Sequence, residues 1–328
     1  MTQGRSQHKL KKEIKLYSID QSLLYRSSSH RKLADSLKVS LQDLRYLLAS
    51  NDNYKVFDLE QKTCQYTGKV TKARTVQEPK TRLRAVHERM KYLLQRINPP
   101  RYAHAAIKGR SYRSNAYAHR SSDVVATLDI KKFYPSTLSA HVFNFFRESL
   151  LCQADIAKSL TDLVCYQNGL PTGSPLSPLL SLYANMPLFD ELNAYAQEKN
   201  LIFTCYVDDI AFSGSAIPVD IKYQIRRIVK KYHHNIAENK VKVFRSNYPK
   251  HITGVVIDHG VLKVPNSRFM KLRAMYKYYR TLNDSNERVV VMRGIAGLLG
   301  EAAYLDARYQ RLANIAYDEL RLVKSLSK

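Results

Sequence analysis

Residues 203–214 read Phe-Thr-Cys-Tyr-Val-Asp-Asp-Ile-Ala-Phe-Ser-Gly, FTCYVDDIAFSG, and the two adjacent aspartates decide how the chain is read. On either side, Leu201 to Tyr206 and Ile210 to Phe212 have the apolar content of strands. A strand sends successive side chains to opposite faces, so Asp208 and Asp209 cannot share one face of a continuous strand. A hairpin turn between two short strands removes the conflict, because the turn rotates the backbone. Aspartate is also an ordinary turn residue. An isolated pair therefore carries no chemistry by itself.

A third carboxylate stands nearby in the pattern. VVATLDI, residues 124–130, is a short β-branched strand that ends on Asp129. Three carboxylates gathered at strand ends repel one another and raise their own pKa values unless cations accompany them. Hard divalent cations take carboxylate oxygens. Two such ions about 4 Å apart activate an attacking hydroxyl and steady the leaving oxygen in phosphoryl transfer. The arrangement makes phosphodiester chemistry a candidate.

The composition points the same way. Among 328 residues, 53 Lys and Arg stand against 28 Asp and Glu, a net charge of +25. That excess suits a polyanionic partner, nucleic acid first and a membrane surface second. No apolar run of about 18 residues exists, so no membrane span is expected. The basic N-terminus lacks the apolar stretch of a secretory signal. Cys64, Cys152, Cys165 and Cys205 are widely spaced and form no CxxC pair, which argues against a disulfide or zinc framework and for a reducing cytoplasm. His233 and His234, read as helical neighbours, would point about 100° apart rather than at one metal.

Periodicity gives an α+β chain. Residues 1–50 read as helical, with a Ser cap opening SLQDLRYLLAS. Residues 54–79 read as β with a turn at Gly68, and Arg82–Ile97 as a helix halted by Asn98-Pro99-Pro100. KGRSYRSNAYAHR reads as a basic, Tyr-rich loop. After the 124–130 strand, Leu138–Cys152 and Ala154–Tyr166 read as helices, and Leu179–Asn200 as one long helix kinked at Pro187. A basic helix over 221–239, two β-like pieces and three terminal helices follow.

Three motifs taken together, LDIKKFYPS (128–136), NGLPTGSPLSP (168–178) and YVDD (206–209), resemble the central motifs of reverse transcriptases. The resemblance implies a right-hand polymerase fold: a helical extension and fingers over 1–53 and 54–123, a palm over 124–265 and a helical thumb over 266–328. It implies two Mg²⁺, with Mn²⁺ as a possible substitute, held by Asp129, Asp208, Asp209 and the Ile130 carbonyl. Asp208 is the expected direct ligand and Asp209 its support. Phe133 and Tyr134 fall where the family places an aromatic against the sugar 2′ position, leaving no room for a ribose hydroxyl. Thr172 and Gly173 would face the incoming nucleotide, although many relatives carry Gln where this chain has Thr172. Lys72 and Arg74 resemble residues that grip the triphosphate. Tyr206 and Val207 would lie against the primer end. Lys242 matches a proton-donating lysine, with Lys240 as the competing candidate.

Finer features resemble retron-type reverse transcriptases. Asn115-Ala116-Tyr117-Ala118-His119 fits an NAxxH pattern, and Ile252-Thr253-Gly254 stands where those proteins carry Val-Thr-Gly. That resemblance implies a cytoplasmic enzyme that takes dNTPs and copies a structured noncoding RNA of the msr-msd type. Its priming from an RNA 2′-hydroxyl would give branched msDNA. Host RNase H and an accessory effector in anti-phage defence are the implied partners, with no membrane. Asn115, His119 and the thumb residues Arg273, Tyr276, Lys277, Tyr279 and Arg280 are the expected RNA contacts, since aromatic rings interleaved with cations can stack on bases. Two other readings stay open: a protein-primed or template-independent relative, and a catalytically idle RNA-binding scaffold.

Overall fold

A computed structural model describes residues 15–326. Of the stretch 1–50 expected to be helical, residues 1–14 lie outside the described residues, and 15–29 form turns with one short 3-10 segment, Ile19–Gln21, instead of a helix. Helices α1 (His30–Leu37) and α2 (Leu41–Ala49) each begin at a serine: Ser29 Oγ accepts the Lys32 N–H and Ser40 Oγ accepts the Asp43 N–H. Strand β1 (Tyr54–Leu59) pairs antiparallel with β4 (Arg74–Pro79), and β2 (Lys62–Thr63) pairs with β3 (Val70–Thr71) as an outward hairpin between them. Helix α3 (Thr81–Leu94) stops before the proline pair. Helix α4 (Tyr112–Ala118) occupies the stretch expected to be a loop. Its signal was local: Ser111 and Ser114 form a capping box that satisfies two first-turn donors.

Strand β5 (Val124–Asp129) leads into a single helical turn, α5 (Phe133–Ser136). The helix expected over Leu138–Cys152 is α6 (Ser139–Asn144) followed by a π-helical turn at Phe145–Ser149. Helix α7 (Ala154–Val164) precedes the glycine- and proline-rich loop. The single kinked helix expected over Leu179–Asn200 is two helices, α8 (Ser177–Ala184) and α9 (Met186–Glu198), broken at Asn185. Pro187 lies in the first turn of α9, where a missing N–H costs nothing, so it starts a helix instead of kinking one. Strands β6 (Ile202–Tyr206) and β7 (Asp209–Gly214) form the expected hairpin.

Helix α10 (Ile221–Lys231) ends well before residue 239. His233 adopts φ +61°, and the N–H groups of His233 and His234 return to the carbonyls of Lys230 and Val229. That left-handed cap turns the two histidines apart, His233 to solvent and His234 inward. Strand β8 (Lys242–Phe244) joins the main sheet, while β9 (Lys250–Ile252), β10 (Val255–Asp258) and β11 (Val261–Lys263) form a separate antiparallel sheet. Helices α11 (Asn266–Tyr279), α12 (Ser285–Leu305) and α13 (Gln310–Leu326) complete the chain.

The main sheet has strand order β6-β7-β5-β8, all antiparallel. Alternation divides its residues cleanly. Ala126, Leu128, Phe203, Cys205, Ile210 and Phe212 pack with Leu192 of α9 and Ile225 of α10. Val125 and Ala211 face the other way, onto Ala116 of α4 and Ile257 of β10. A second core joins α1–α3 with α6–α8 through Leu33, Leu44, Met90, Phe146 and Leu160. A third is confined to the terminal helices, around Met292, Ile295, Leu299 and Ala316. The β2–β3 hairpin reaches those helices, with the Tyr66 ring edge-on to Tyr278 at 5.9 Å between centroids. Among the described residues, no helix is long and apolar enough to cross a membrane.

Candidate active site

Register brings the carboxylates together. In the β5–β7 pairing Asp129 stands opposite Asp209, and in β6–β7 Tyr206 stands opposite Asp209. Val207 and Asp208 are thus the two-residue tip of the hairpin. The Ile130 N–H donates to the Asp208 carbonyl at 2.9 Å, which ties the tip to the end of β5. Val207 sits at φ +60°. A β-branched residue in the left-handed region stores roughly 1–2 kcal/mol of strain, held by the paired strands on either side.

The cluster is electrostatically tense. Burial first, then the neighbouring Asp129, raises the Asp208 carboxyl above its ordinary value. Asp209 is pushed up to about 6 by burial, then by Asp208 and Asp129. Lys240 relieves part of the repulsion, its Nζ 2.5 Å from Asp129 Oδ2, and that bond raises the lysine's own pKa. Ala237 N–H donates to the Asp129 carbonyl at 2.8 Å, which sets the short 3-10 turn Glu238–Lys240 beside the cluster. Lys242, the residue favoured from sequence, lies two positions on in β8 opposite Thr127 and has no bond to the carboxylates. Lys240, the competing candidate, is the lysine at the carboxylates.

No three acidic, histidine or cysteine side chains among the described residues stand in ready geometry around an ion. The donors nevertheless fit a hard divalent cation: they are carboxylate oxygens whose mutual repulsion such a cation would cancel. Asp129, Asp208 and Asp209 would hold it, in exchange for the Lys240 contact.

Two cavities meet at these residues. One of about 470 Å³ is lined by Arg74, Lys132, Phe133, Tyr134, Thr172, Tyr206, Val207, Asp208 and Asp209. Burial, then Asp208, pushes the Tyr134 hydroxyl up to about 12, so the ring is neutral. Lys72 does not line this space, and the second cation at its wall is Lys132, which sequence reasoning passed over although it lies inside LDIKKFYPS. The other cavity, about 1050 Å³, runs from Asp129, Tyr206, Asp209, Lys240 and Lys242 to Arg268 and Lys271 of α11.

The 168–178 loop is fastened to the strand that carries Arg74. Gly173 N–H donates to the Gln77 carbonyl at 3.0 Å, and Thr172 N–H and Oγ1 both reach Gln77 Oε1 at 3.2 Å. A Cβ on Gly173 would fall 2.6 Å from the Gln77 carbonyl oxygen, so only glycine permits this approach. Thr172 and Gln77, from two elements, thus form one hydrogen-bonded pair at this wall. Gln77 gave no sequence signal, because the contact is non-local.

Three expected RNA contacts are corrected. His119 is fully buried and bridges Ser213 Oγ (2.6 Å) and Thr204 Oγ1 (2.7 Å) on the face of β7 and β6 that it shares with Ala211 and α4. Asn115 is 1 % exposed and donates to Thr253 Oγ1 at 3.3 Å, joining the NAxxH segment to Ile252-Thr253-Gly254. Tyr279 is buried in the core of the terminal helices with the Arg288 guanidinium over its ring at 4.5 Å. Helical spacing cannot tell a base-stacking face from a packing face, and here packing took the ring. Tyr276 is half-buried against the same core, whereas Arg273, Lys277 and Arg280 are exposed.

A four-stranded antiparallel sheet that sets acidic residues at the join of a nucleotide-sized cavity and a wider basic cleft belongs to nucleic-acid polymerases of the right-hand type. The chain is a member of the reverse transcriptase (RNA-dependent DNA polymerase) family, whose pattern matches residues 61–257. It is 31% identical over 233 residues to the Retron Se72 reverse transcriptase of Salmonella heidelberg (strain 579083-10), covering 67% of this chain and 59% of that one. It is 25% identical over 246 residues to the Retron Ec86 reverse transcriptase of Escherichia coli, covering 74% and 75%. With the Retron Mx162 reverse transcriptase of Myxococcus xanthus it shares 25% over 236 residues, 61% of this chain and 49% of the relative. The match thus spans from about half to three quarters of these relatives' own length. A solved structure of telomerase from Candida albicans with a fragment of telomeric RNA gives a TM-score of 0.44 at 11% identity, over 80% of this chain and 66% of that one. That likeness is too distant to bear on the site.

Proposed function

We propose that the chain is a retron-type RNA-directed DNA polymerase that copies part of a structured noncoding RNA into DNA. The observation that carries this reading is the meeting of Asp129, Asp208 and Asp209 at the join of the two cavities. In this reading the smaller cavity takes the dNTP. Arg74, always charged, and Lys132 draw in the triphosphate, and Thr172, fixed by Gln77, orients the loop beside it. The Tyr134 ring fills the space that a ribose 2′-hydroxyl would need. Tyr206 and Val207 support the primer end, and the wider cleft holds the template–primer duplex against Lys242, Arg268 and Lys271, with Arg273, Lys277 and Arg280 farther along the thumb.

Two Mg²⁺ ions, when bound to the three aspartates and the Ile130 carbonyl, would lower the pKa of the primer hydroxyl and neutralise charge on the phosphates. The aspartates themselves must be deprotonated, and in this reading Lys240, released from its contact with Asp129, gives a proton to the departing pyrophosphate. The primer oxygen then bonds to the α-phosphorus as the bond to the β-phosphate oxygen breaks. Priming from an RNA 2′-hydroxyl, a branched msDNA product, trimming by host RNase H, an effector partner in anti-phage defence and a cytoplasmic setting belong to the same reading, on the strength of the retron relatives.

The test is to purify the protein with its own nucleic acid and digest with DNase, RNase and a debranching enzyme. A DNA–RNA hybrid that the debranching enzyme separates supports the proposal. Bare protein, or DNA bonded to the protein itself, overturns it.

A further inference from the structure

The break between α8 and α9 has a chemical cause that reaches the nucleotide cavity. Asn185, at the break, is 2 % exposed and spends both amide hydrogens, on the Ser181 carbonyl (2.8 Å) and on Thr137 Oγ1 (2.9 Å). A carbonyl can only accept, so the amide orientation is fixed and Asn185 Oδ1 faces the fully buried His234 Nε2 at 2.8 Å. His234 must therefore carry its proton on Nε2. Its Nδ1 is then an acceptor, and Ser136 Oγ lies 2.8 Å away to donate. Thr137 Oγ1 passes its own hydrogen to the Phe133 carbonyl at 2.9 Å. Because Ser136 and Thr137 are consecutive, Ser136, His234, Asn185 and Thr137 close a ring of hydrogen bonds.

That ring grips one segment, the single turn α5 that contains Tyr134. It holds Ser136 and Thr137, neither of which lines the cavity, and the Phe133 ring, which does, lies 5.5 Å from the His234 ring between centroids. The Tyr134 carbonyl accepts from Leu170 N–H at 3.1 Å, and a Cβ on Gly169 would fall 2.6 Å from the Pro135 oxygen. A one-turn helix has too few internal bonds to hold its own position. The position of Tyr134 is thus set by what fastens α5, and one side-chain ring of hydrogen bonds that does so runs through the buried His234.

We propose that His234 is a positioning residue for sugar selection: through Ser136, Asn185 and Thr137 it holds α5 so that the Tyr134 ring stays close against the sugar of the incoming nucleotide. The inference rests on the reading of Tyr134 given under Proposed function. The neutral ring that the geometry demands agrees with the depression of His234 to about 4 by burial, then by His141 and His233. Removing the ring loosens α5 without touching a carboxylate or a phosphate-binding cation, so discrimination falls while turnover of the correct nucleotide survives.

The measurement is single-nucleotide incorporation on a primed RNA template with Mg²⁺, comparing kcat/KM for a dNTP and the matching rNTP. His234→Phe keeps the ring's shape and deletes both bonds, and is expected to lower the dNTP-to-rNTP ratio about tenfold with dNTP kcat within about threefold of the parent. Ser136→Ala, which removes one bond at a half-buried site, should lower the ratio about threefold, while Ser136→Thr, which keeps the hydroxyl, should restore it. In a Tyr134→Ala background, His234→Phe should change the ratio by less than about twofold, because the two act as one unit. A ratio unchanged in both His234→Phe and Ser136→Ala overturns the proposal, as does an equal fall for both nucleotides. Should His234→Phe fail to fold, the Ser136 pair decides alone. If Tyr134→Ala leaves the ratio at the parent value, the reading of Tyr134 fails and this inference falls with it.

Discussion

Replacing Asp209 by Asn should make the metal-free protein more stable while ending synthesis. Its carboxyl titrates near 6 in the fold against an ordinary 3.8, raised by burial and by two neighbouring carboxylates. A folded-state pKa above the unfolded one means that the ionised group opposes folding. The penalty is complete above about pH 6 and disappears as pH falls through the window from 6 to 3.8. Two pKa units correspond to roughly 3 kcal/mol as an upper bound. Asp209 opens onto both cavities and solvent screens part of the repulsion, so about 1–2 kcal/mol is the realistic gain, or roughly 1.5–3 °C in Tm for a chain of this size. The assay is thermal melting at pH 7.5 in EDTA and again in millimolar Mg²⁺. Asp209→Asn should melt higher than the parent in EDTA, yet gain less from Mg²⁺, because the cation stabilises only the fold that binds it. A variant that melts at or below the parent in EDTA would refute the claim that these carboxylates are held together against their own repulsion.

Acid should act in the opposite direction through the histidines. His87, His119 and His234 are fully buried and depressed to about 4, 3 and 4, in each case first by burial. The unfolded chain protonates them near 6.5, so stability is intact above that value and is lost as pH falls toward 4, by at most roughly 4 kcal/mol per pH unit near pH 5. A Tm at pH 5 equal to that at pH 7.5 would contradict this. Gly173→Ala should force the 168–178 loop off β4, breaking up to three hydrogen bonds to Gln77 and costing about 1–3 kcal/mol. It should appear as a rise in dNTP KM larger than the fall in kcat, and an unchanged KM would count against the loop–strand unit. Lys240→Ala should slow single-nucleotide incorporation about 10- to 100-fold and Lys242→Ala less than about threefold, and the reverse order in a rapid-quench assay would restore Lys242 to the role.

The parts of the fold legible in the sequence are those whose signal is local. The short apolar, β-branched runs in VVATLDI and in the two arms around Asp208-Asp209 give three of the four palm strands, and the runs are nearly continuous because the sheet is covered on both faces. Serine caps gave the start of α2 and would have given α4 had the pairing of Ser111 with Ser114 been weighed. Helix breaks were illegible for a physical reason. Nothing in LYANMPLFD announces that Asn185 turns its amide onto Ser181 and Thr137, a bond formed only when β5's exit turn packs there. Pro187 was visible, but its effect depends on whether it falls inside a helix or in a first turn, and Asn185 decides that.

The site divides along the same line. Asp129, Asp208 and Asp209 were legible because strand ends and turns are local features, and antiparallel register then does the assembling. Arg74, which opens β4, and Tyr134, just past the end of β5, both line the smaller cavity. Gln77 and His234 gave no signal, and Lys240 could not be told from Lys242, because each arrives through a contact with a distant element: the Gly173–Gln77 bond, the left-handed cap at His233 and the Ala237–Asp129 backbone bond. The errors at His119 and Tyr279 have the converse origin. A polar or aromatic residue at a motif position was read as facing nucleic acid, when a sheet that must place carboxylates within repulsive range needs its strands held rigidly from behind. His119 supplies that: one ring nitrogen bonds β6 and the other β7, the two arms whose connecting turn presents Asp208 and starts Asp209. A residue that braces both arms of the hairpin in this way acts from within the fold, which is why its burial and its place in a sequence motif are consistent.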